Sequence, residues 1–261
     1  MNLSLVGKYA LIGGGSRGIG LAIAQELALL GASCVLIARN ETRLEQATRL
    51  LDATKGQKHA FLVADYSDYE NTQKTVAAFV EKLPVHILIN NTGGPAAGDI
   101  GEATPAQFLR AFEQHLICNQ LITQAVLPGM KANGYGRIIN IISTSVKIPI
   151  AGLGVSNTIR GAVASWAKTL SNEVARFGIT VNSILPGSTE TDRLHQLIED
   201  RAKATGIAPE AVARRMADKI PARRFGKPEE VAALAAFLAS PAAAYVNGTS
   251  IPVDGGKTGT I

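Results

Sequence analysis

Three glycines at a fixed spacing form the segment of the sequence with the clearest chemistry. Gly14, Gly18 and Gly20 follow the apolar run Tyr9–Ile12 and open a helical pattern. Glycines there let the chain turn tightly and let a pyrophosphate approach the first helical turn, where unpaired N–H groups and the helix dipole bind anions. Close helix-on-strand packing without a ligand is the alternative interpretation. We predict a dinucleotide here, with contacts from Gly14, Ser16, Gly18, Ile19 and Gly20.

Two arginines predict which dinucleotide is bound. NAD sites usually place an acid at the end of the second strand, whereas the 2′-phosphate of NADP needs a cation. Here the second apolar run is followed by Arg39 and Asn40, with no acid before Glu41, and Arg17 lies in the glycine loop. Two guanidinium groups therefore favour NADP over NAD. The alternative is that both arginines only face solvent.

The elements that must position this loop alternate along the chain. Short apolar runs predict strands and longer stretches predict helices, which is typical of βαβ units in a doubly wound parallel sheet of Rossmann type. We expect one α/β domain over residues 1–261. The predicted strands are Tyr9–Ile12, Ser33–Ala38, His59–Val63, Val85–Asn90, Arg137–Ile142, Ile179–Leu185 and Thr249–Val253. The predicted helices are Ile19–Leu30, Glu41–Ala53, Tyr69–Leu83, Pro105–Lys131, Gly152–Phe177 and Pro228–Leu238.

The alternation breaks between residues 187 and 227. This segment has little strand character and is rich in arginine and lysine. We predict a helical insertion that covers the ligand crevice and acts as a mobile lid over a substrate. An ordinary pair of surface helices is the alternative.

Composition excludes several classes of protein. Apolar residues make up 46 % of the chain and charged residues 18 %, which suits a full hydrophobic core and excludes a disordered chain. The net charge is +5, but the basic residues are scattered, so we expect no nucleic-acid partner. The start of the sequence lacks a signal-peptide layout, and the apolar stretch 27–38 is too short to span a bilayer.

The thiols and imidazoles indicate a reducing compartment and no metal site. Cys34 and Cys118 each lie within apolar segments, as small core residues do, and do not suggest a disulfide framework. The four histidines are far apart in the sequence and form no metal-ligand cluster. With no signal peptide and no membrane span predicted, we expect a soluble, cytoplasmic protein.

Further motifs accompany the glycine loop. The segment 90–93 (Asn-Asn-Thr-Gly) follows the fourth predicted strand, and Pro186, Gly187 and Thr191 follow the sixth; the segments 224–231 and 253–256 lie near the C-terminus. On these motifs the chain resembles the short-chain dehydrogenase/reductase family over nearly its whole length, most closely the 3-oxoacyl-acyl-carrier-protein-reductase-like branch. The resemblance implies coenzyme contacts from Asp65, Asn91, Gly93, Arg160, Pro186, Gly187 and Thr191.

The resemblance breaks at the catalytic positions. Family members use a Ser to polarise the carbonyl oxygen, a Tyr as acid, a Lys four residues later, and an Asn in the preceding helix. Ser143 matches that Ser, but Ser156 stands in the place of the Tyr, Arg160 in the place of the Lys, and His115 in the place of the Asn. The glycine loop also departs from the family at Gly13, where Thr is usual.

The altered residues permit different chemistry. The Ser156 hydroxyl is a far weaker acid than a phenol, and its side chain reaches less far. Arg160 stays protonated but can donate hydrogen bonds to the nicotinamide ribose or to an anionic substrate group. His115 is the best replacement acid because an imidazole titrates near neutrality, and Lys147 is a second candidate. The alternatives are that His115 is a core residue, that Ser143 and Ser156 only cap or pack, and that Lys147 is solvated.

Two functions from different classes follow from this pattern. The first is an atypical NADP-dependent oxidoreductase acting on a carbonyl or alcohol, which includes a 3-oxoacyl substrate, with Ser143 polarising the oxygen. The second is a nucleotide-binding protein without catalysis that acts as a sensor or structural partner. The enzyme is favoured because the nicotinamide-side motif residues Asn91, Pro186, Gly187 and Thr191 are intact. By analogy with the family we expect a homo-oligomer, a tetramer or a dimer.

Overall fold

A parallel sheet of seven strands forms the centre of the molecule. The structure is a computed structural model that describes residues 1–260. Its strands are β1 (Tyr9–Gly13), β2 (Ser33–Ala38), β3 (Ala60–Val63), β4 (Ile87–Asn90), β5 (Gly136–Ile141), β6 (Ile179–Pro186) and β7 (Ser250–Val253). They lie in the order β3-β2-β1-β4-β5-β6-β7, and every neighbouring pair is parallel. The predicted doubly wound α/β fold is confirmed.

Helices cover both faces of this sheet, which explains why its strands are almost wholly apolar. One core cluster joins the sheet to the first and last helices, through Ile23, Leu27 and Val231, and a second joins it to the helices of the opposite face, through Val76, Ile122 and Val174. The helices are α1 (Gly18–Leu29), α2 (Glu41–Arg49), α3 (Tyr69–Val80), α4 (Pro105–Phe112), α5 (Cys118–Ala132), α6 (Gly154–Val174), α7 (Asp192–Thr205), α8 (Pro209–Ala217) and α9 (Pro228–Ala239).

The strand order reverses between β1 and β4. The chain goes from β1 to β2 and β3 on one side, and continues on the other side from β4 to β7. In a doubly wound sheet the carboxyl ends of the strands at such a reversal form a ligand crevice. Both the glycine loop and the segment 91–94 begin at this point, and the Asn91 side-chain amide donates to the carbonyl of Gly13 at 3.0 Å.

The long helix predicted over residues 105–131 is interrupted. Between α4 and α5 lies one π-helical turn, Glu113–Ile117, whose last hydrogen bond runs from the Cys118 N–H to the Glu113 carbonyl. A π-turn inserts one extra residue and rotates the side chains that follow, and such turns are frequent at functional sites. The turn carries His115 and places it among buried residues.

Two helices, α7 and α8, lie within the segment 187–227. Helices α7 and α8 share a small apolar cluster of their own that includes Leu194, Ile198 and Val212. At its start α7 contacts two other loops, because Asp192 pairs with Arg17 and the Arg193 side chain donates to the Pro95 carbonyl at 3.1 Å. In the described part of the chain, no helix has both the length and the apolar character needed to cross a membrane.

Candidate active site

The glycine loop, residues 13–20, joins β1 to the first turn of α1. Gly14 and Gly18 have positive φ angles of 58° and 54°, and a Cβ on Gly20 would collide with the carbonyl oxygen of Gly14. The loop can therefore close on the helix only with these small residues. The first N–H groups of α1, which include those of Gly18, Ile19 and Gly20, have no carbonyl partner within the helix and can bind a diphosphate.

Tyr66 fills the space beside Gly13, a contact that the sequence did not predict. Its hydroxyl oxygen lies 2.5 Å from the position that a Cβ on Gly13 would take. The side chain is buried, and the hydroxyl has no hydrogen-bond partner within residues 1–260. Burial raises the pKa of Tyr66 well above its ordinary value, and Cys118 adds to the effect. Tyr66 thus occupies the room that a larger side chain at position 13 would need.

Both arginines predicted to bind the 2′-phosphate lie beside carboxylates. Arg17 Nη1 is 2.8 Å from Asp192 Oδ2, and Arg39 Nη1 is 3.9 Å from Asp65 Oδ2. No acid lies on β2 itself, as the sequence indicated, but the two acids arrive from α7 and from the segment after β3. Because these side chains are largely exposed, each ion pair is weak and a phosphate can compete for the guanidinium. Arg39 is the less engaged of the two.

Apart from Arg160, the remaining predicted coenzyme residues lie at or just beyond the carboxyl ends of β3, β4 and β6. Gly93 is exposed, and a Cβ on it would meet no atom within 4 Å, so open space borders this residue. Thr191 caps α7 by accepting a hydrogen bond from the Leu194 N–H at 3.4 Å. A methyl group of Thr191 would lie 3.3 Å from a Cβ on Gly18, so the start of α7 abuts the glycine loop. The other residues of this set are half-buried: Asp65, Asn91, Pro186 and Gly187.

Arg160 on α6 reaches across the ends of two strands. Its side chain is only 8 % exposed, and its Nη1 donates to the carbonyl of Ile141, the last residue of β5, at 3.0 Å. Its Nη2 lies 3.6 Å from the position of a Cβ on Gly94, in the segment after β4. Burial lowers the pKa of Arg160 to about 10, so the guanidinium stays protonated at neutral pH.

His115 lies next to this arginine and is buried. Its Nδ1 shares a hydrogen bond with the hydroxyl of Thr92 at 2.5 Å, and its Nε2 has no hydrogen-bond partner within the described chain. Burial, and then the charge of Arg160, lower the pKa of His115 to about 3. The expectation of titration near neutrality applied to an unperturbed imidazole, whereas a buried ring beside a cation resists a second positive charge. At neutral pH His115 is neutral.

The other catalytic candidates differ in exposure. Ser143 lies two residues beyond β5, half-buried, and its hydroxyl accepts a hydrogen bond from the Ser145 N–H at 3.1 Å. Ser156 is half-buried on α6, one turn before Arg160, so both side chains lie on one face of the helix. Lys147 is exposed at the end of the short turn that follows Ser143. The structure thus brings Arg160 and His115 together and leaves Lys147 at the surface.

Buried polar atoms without partners collect around this end of the sheet. Within residues 1–260 these include the Asn90 and Asn119 side-chain oxygens and the Ser145 hydroxyl, beside those of Tyr66 and His115. Unsatisfied buried groups are rare in folded proteins and often mark a functional site.

A groove of about 720 Å³ adjoins the segment that follows Ser143. Ser145 lines it, together with Ile100 from the loop after β4 and Pro149 and Ile150 from the loop before α6. The lining is mostly apolar, which suits the hydrocarbon part of a small molecule. The segment that follows Ser143 therefore borders both the polar cluster and an apolar groove.

The fold and this site are those of a dinucleotide-binding α/β protein. Residues 14–258 match the family model described as Enoyl-(Acyl carrier protein) reductase. The chain belongs to the short-chain dehydrogenase/reductase family, as the sequence motifs indicated.

Relatives with known names support this placement. The chain is 34 % identical over 260 residues to the NADPH-dependent reductase BacG of Bacillus subtilis (strain 168), covering 97 % of this chain and 99 % of that one. It is 35 % identical over 259 residues to the 3-oxoacyl-(acyl-carrier-protein) reductase FabG of Pseudomonas aeruginosa, covering 97 % and 98 %. Its fold is similar to L-sorbose reductase from Gluconobacter frateurii, solved with NADPH and L-sorbose, with a TM-score of 0.93, 32 % identity and 100 % of both chains covered.

Proposed function

We propose that this chain is an NADP(H)-dependent oxidoreductase that transfers a hydride between the coenzyme and a carbonyl or alcohol substrate. The observation that carries the proposal is the glycine loop at the strand reversal, together with the buried guanidinium of Arg160 beside the segment that follows β4. Membership of the family and the coenzyme named for its relatives favour the same conclusion.

The residues present fit a phosphorylated dinucleotide. The glycine loop with Ser16 would hold the diphosphate, Arg39 and Arg17 the 2′-phosphate, and Asp65 the adenine. Asn91 and Gly93 would line its path toward the residues beyond β6. When bound, the dinucleotide supplies or accepts the hydride. Ser143 would donate to the substrate oxygen, and Arg160 would hold a ribose hydroxyl or a negatively charged oxygen.

The proton donor is the finer part of this proposal. A neutral, buried His115 is a poor acid at neutral pH, and Lys147 faces solvent. We keep Ser143 and Arg160 as the groups that act on the substrate oxygen, with His115 as a neighbour that keeps the cluster at a single positive charge.

The proposal also includes a lid over the substrate and association of this chain into an oligomer. Helices α7 and α8 would close over the substrate, because Asp192 at the start of α7 pairs with Arg17 of the glycine loop. The exposed apolar side chains of Leu109 and Phe112 on α4 suit burial against a second copy, in a dimer or tetramer. A 3-oxoacyl substrate and a cytoplasmic location remain predictions.

The test is coenzyme binding in a matched pair of glycine variants. A Cβ added to either Gly93 or Gly129 would meet no atom within 4 Å, but only Gly93 borders the proposed coenzyme path. We expect Gly93→Val to weaken NADPH binding at least about tenfold by calorimetry, the equivalent of ~1.4 kcal/mol, and Gly129→Val to leave it unchanged.

Two outcomes would contradict the proposed function. Folded protein that binds neither NADPH nor NADP⁺ would remove the dinucleotide. Binding of NADPH without turnover of any carbonyl compound would favour the sensor or structural role instead.

A further inference from the structure

Arg160 is a buried cation for which the described chain supplies no acid. The ion pairs of residues 1–260 all join acids to other arginines, and the Ile141 carbonyl is the one protein acceptor of the Arg160 guanidinium. No carboxylate raises the pKa of Arg160, which burial alone lowers. A buried charge is costly unless it is paired. The fold therefore leaves this guanidinium short of an anion.

The unpaired nitrogens of Arg160 are not sealed inside the protein. Its Nη1 is bonded to Ile141, whereas Nε and Nη2 donate to no atom of residues 1–260. Neither nitrogen is among the side-chain atoms that are completely buried without a partner, so both border open space. Nη2 lies 3.6 Å from the position of a Cβ on Gly94, and Gly93 and Gly94 are exposed. A small anion can reach the guanidinium beside this segment.

The coenzyme of the proposed function does not provide that anion. Its phosphates would lie on the glycine loop after β1 and beside Arg17 and Arg39, whereas Arg160 is bonded to the end of β5, and β4 lies between these two strands. A ribose hydroxyl can accept a hydrogen bond from Arg160, but it is neutral and leaves the buried charge unpaired. The missing anion is therefore a group of the substrate.

The guanidinium lies close to the residue expected to polarise the carbonyl oxygen. Its Nη1 donates to Ile141 at 3.0 Å, and Ser143 is two residues further along the same extended segment. Two residues of extended chain span at most about 7 Å. A small molecule that places a carbonyl oxygen at Ser143 and an anionic group at Arg160 must carry the two groups close together. A carboxylate matches the guanidinium best, because the two groups can form parallel hydrogen bonds.

We propose that the substrate is a 2-oxo acid, or the 2-hydroxy acid that corresponds to it, and that Arg160 binds its carboxylate. This inference rests on the proposed function and names its substrate class. Arg160 is then the residue that determines specificity. The mostly apolar groove beside Ser145 suits the hydrocarbon chain of such an acid.

The atoms and electrons of the reduction balance. The carbonyl carbon accepts a hydride from the reduced nicotinamide, the carbonyl π pair moves to oxygen, and the oxygen takes a proton from water. A C–H bond and an O–H bond form, the carbonyl π bond breaks, and the oxo acid becomes a hydroxy acid while the nicotinamide is oxidised. Arg160 donates hydrogen bonds to the carboxylate before and after this step and transfers no proton.

The first experiment compares probes that differ in charge. 2-Oxobutanoate and 2-oxooctanoate are paired with their methyl esters, which keep the activated carbonyl and lose the negative charge, and 2-octanone lacks the carboxyl group altogether. We expect kcat/KM with NADPH to be at least about 30-fold higher for each acid than for its ester, as for a buried hydrogen-bonded charge pair. Two chain lengths keep the fit of the hydrocarbon from deciding the result.

Variants assign the preference to Arg160. We expect Arg160→Gln to lower the ratio of acid to ester kcat/KM at least about tenfold, and Arg160→Lys, which keeps the charge, to retain part of it. The ratio is measured within one variant, so a general loss of stability or of coenzyme affinity cancels. Arg49→Gln makes the same substitution at an exposed arginine of α2 that pairs only with Glu45, and its ratio should equal that of the wild type.

Calorimetry measures the same preference without turnover, because an oxo acid and an oxidised coenzyme exchange no hydride. We expect 2-oxooctanoate to bind the protein saturated with NADP⁺ at least about tenfold more tightly than its methyl ester does. The difference should vanish in Arg160→Gln and persist in Arg49→Gln. A difference that is unchanged in Arg160→Gln would overturn the role of Arg160.

The outcomes separate this inference from the proposed function. Esters reduced as well as the acids, or an acid preference that survives in Arg160→Gln, would overturn the inference and leave the oxidoreductase in place. Acid-selective binding without turnover of any probe would support the carboxylate site and favour the sensor role. Turnover of no probe and no acid-selective binding, or failure to bind NADPH and NADP⁺, would overturn both.

Discussion

Two buried arginines at opposite ends of β5 are used in different ways. At the amino end, Arg137 donates to the carbonyls of Gly136, Gly178 and Ser240 and lies over the ring of Tyr135 at 4.2 Å. At the carboxyl end, Arg160 has one carbonyl acceptor, and its Nη2 lies beside Gly94 in the segment that follows β4. The guanidinium of Arg137 makes its hydrogen bonds within the protein, whereas that of Arg160 is available to a ligand.

The two ends of the sheet also differ in whether their buried polar groups have hydrogen-bond partners. At the amino end, His86 Nδ1 accepts from the Tyr9 N–H at 3.1 Å, and the Tyr135 hydroxyl donates to the Ala239 carbonyl at 2.6 Å. At the carboxyl end, buried atoms of Tyr66 and His115 have no partner in the described chain. Polar groups that stabilise a fold are satisfied within it, and those that serve a ligand are left incomplete.

The largest expected effect is on the free energy of unfolding, which should fall much more when Arg137 is replaced than when Arg160 is replaced. Arg137→Met removes the donors of three backbone carbonyls and should lower the free energy of unfolding by about 2–4 kcal/mol. Arg160→Met removes a poorly compensated buried charge, and the free energy of unfolding should change by less than about 1 kcal/mol. Urea denaturation followed by circular dichroism measures both. Equal losses would show that Arg160 is also a structural residue.

Position 13 tests how tightly the carboxyl end is packed. Gly13→Ala places a Cβ against the Tyr66 hydroxyl and the Asn91 backbone, and should destabilise the protein by about 1–3 kcal/mol. Adding Tyr66→Phe removes the hydroxyl and should restore part of that loss. Unfolding curves of the two single variants and the double variant give the coupling energy. Simple additivity of the two changes would mean that Tyr66 does not fill this space.

The pH dependence of stability should expose His115. The pKa of His115 falls from its ordinary 6.5 to about 3 on folding, so the unfolded chain binds more protons between these values. Above pH 6.5 the neutral His115 does not lower the free energy of unfolding. As the pH falls toward 3, the free energy of unfolding decreases because the unfolded chain gains a proton that the folded protein does not, by about 1–2 kcal/mol at pH 5. His115→Asn should flatten the dependence of Tm on pH in this range. An unchanged slope would place the acid sensitivity elsewhere.

The smallest effect concerns coenzyme choice. Arg39→Gln removes the guanidinium nearest the end of β2 and should weaken NADPH binding about tenfold, ~1.4 kcal/mol, while NADH binding is unchanged. Calorimetry with both coenzymes gives the ratio. Glu41→Gln, which changes the charge two residues further along, is the control. If both coenzymes lose affinity equally in Arg39→Gln, the residue does not read the 2′-phosphate.

Much of the fold was predictable because local signals agreed with one another. The alternation of apolar runs and helical stretches gave all seven strands within two residues of their bounds, and the fifth and sixth strands lie where the resemblance placed their motifs. Helix ends were less predictable: α2 stops at Arg49 and not at Ala53, because Leu50 and the turn after it leave the helical pattern.

The polar cluster was only partly predictable. The resemblance to the family identified Ser156, Arg160 and His115 as altered positions. Its hydrogen bond to Thr92, the π-turn that carries it and the low pKa could not be predicted, since they depend on burial and on neighbours that are distant in the sequence. The same holds for Asp192 beside Arg17 and for Tyr66 beside Gly13.

By itself the sequence determined the parallel α/β sheet, the glycine loop and the family, because glycine spacing and apolar periodicity are local properties of the chain. Only the tertiary structure decided which polar groups are satisfied, since each partner comes from a distant strand or helix. These partners make Arg137 a structural residue and leave Arg160 available to a ligand, although the two arginines are buried to a similar extent. Charge and solvation depend on the surroundings of a residue, and the surroundings exist only in the folded chain.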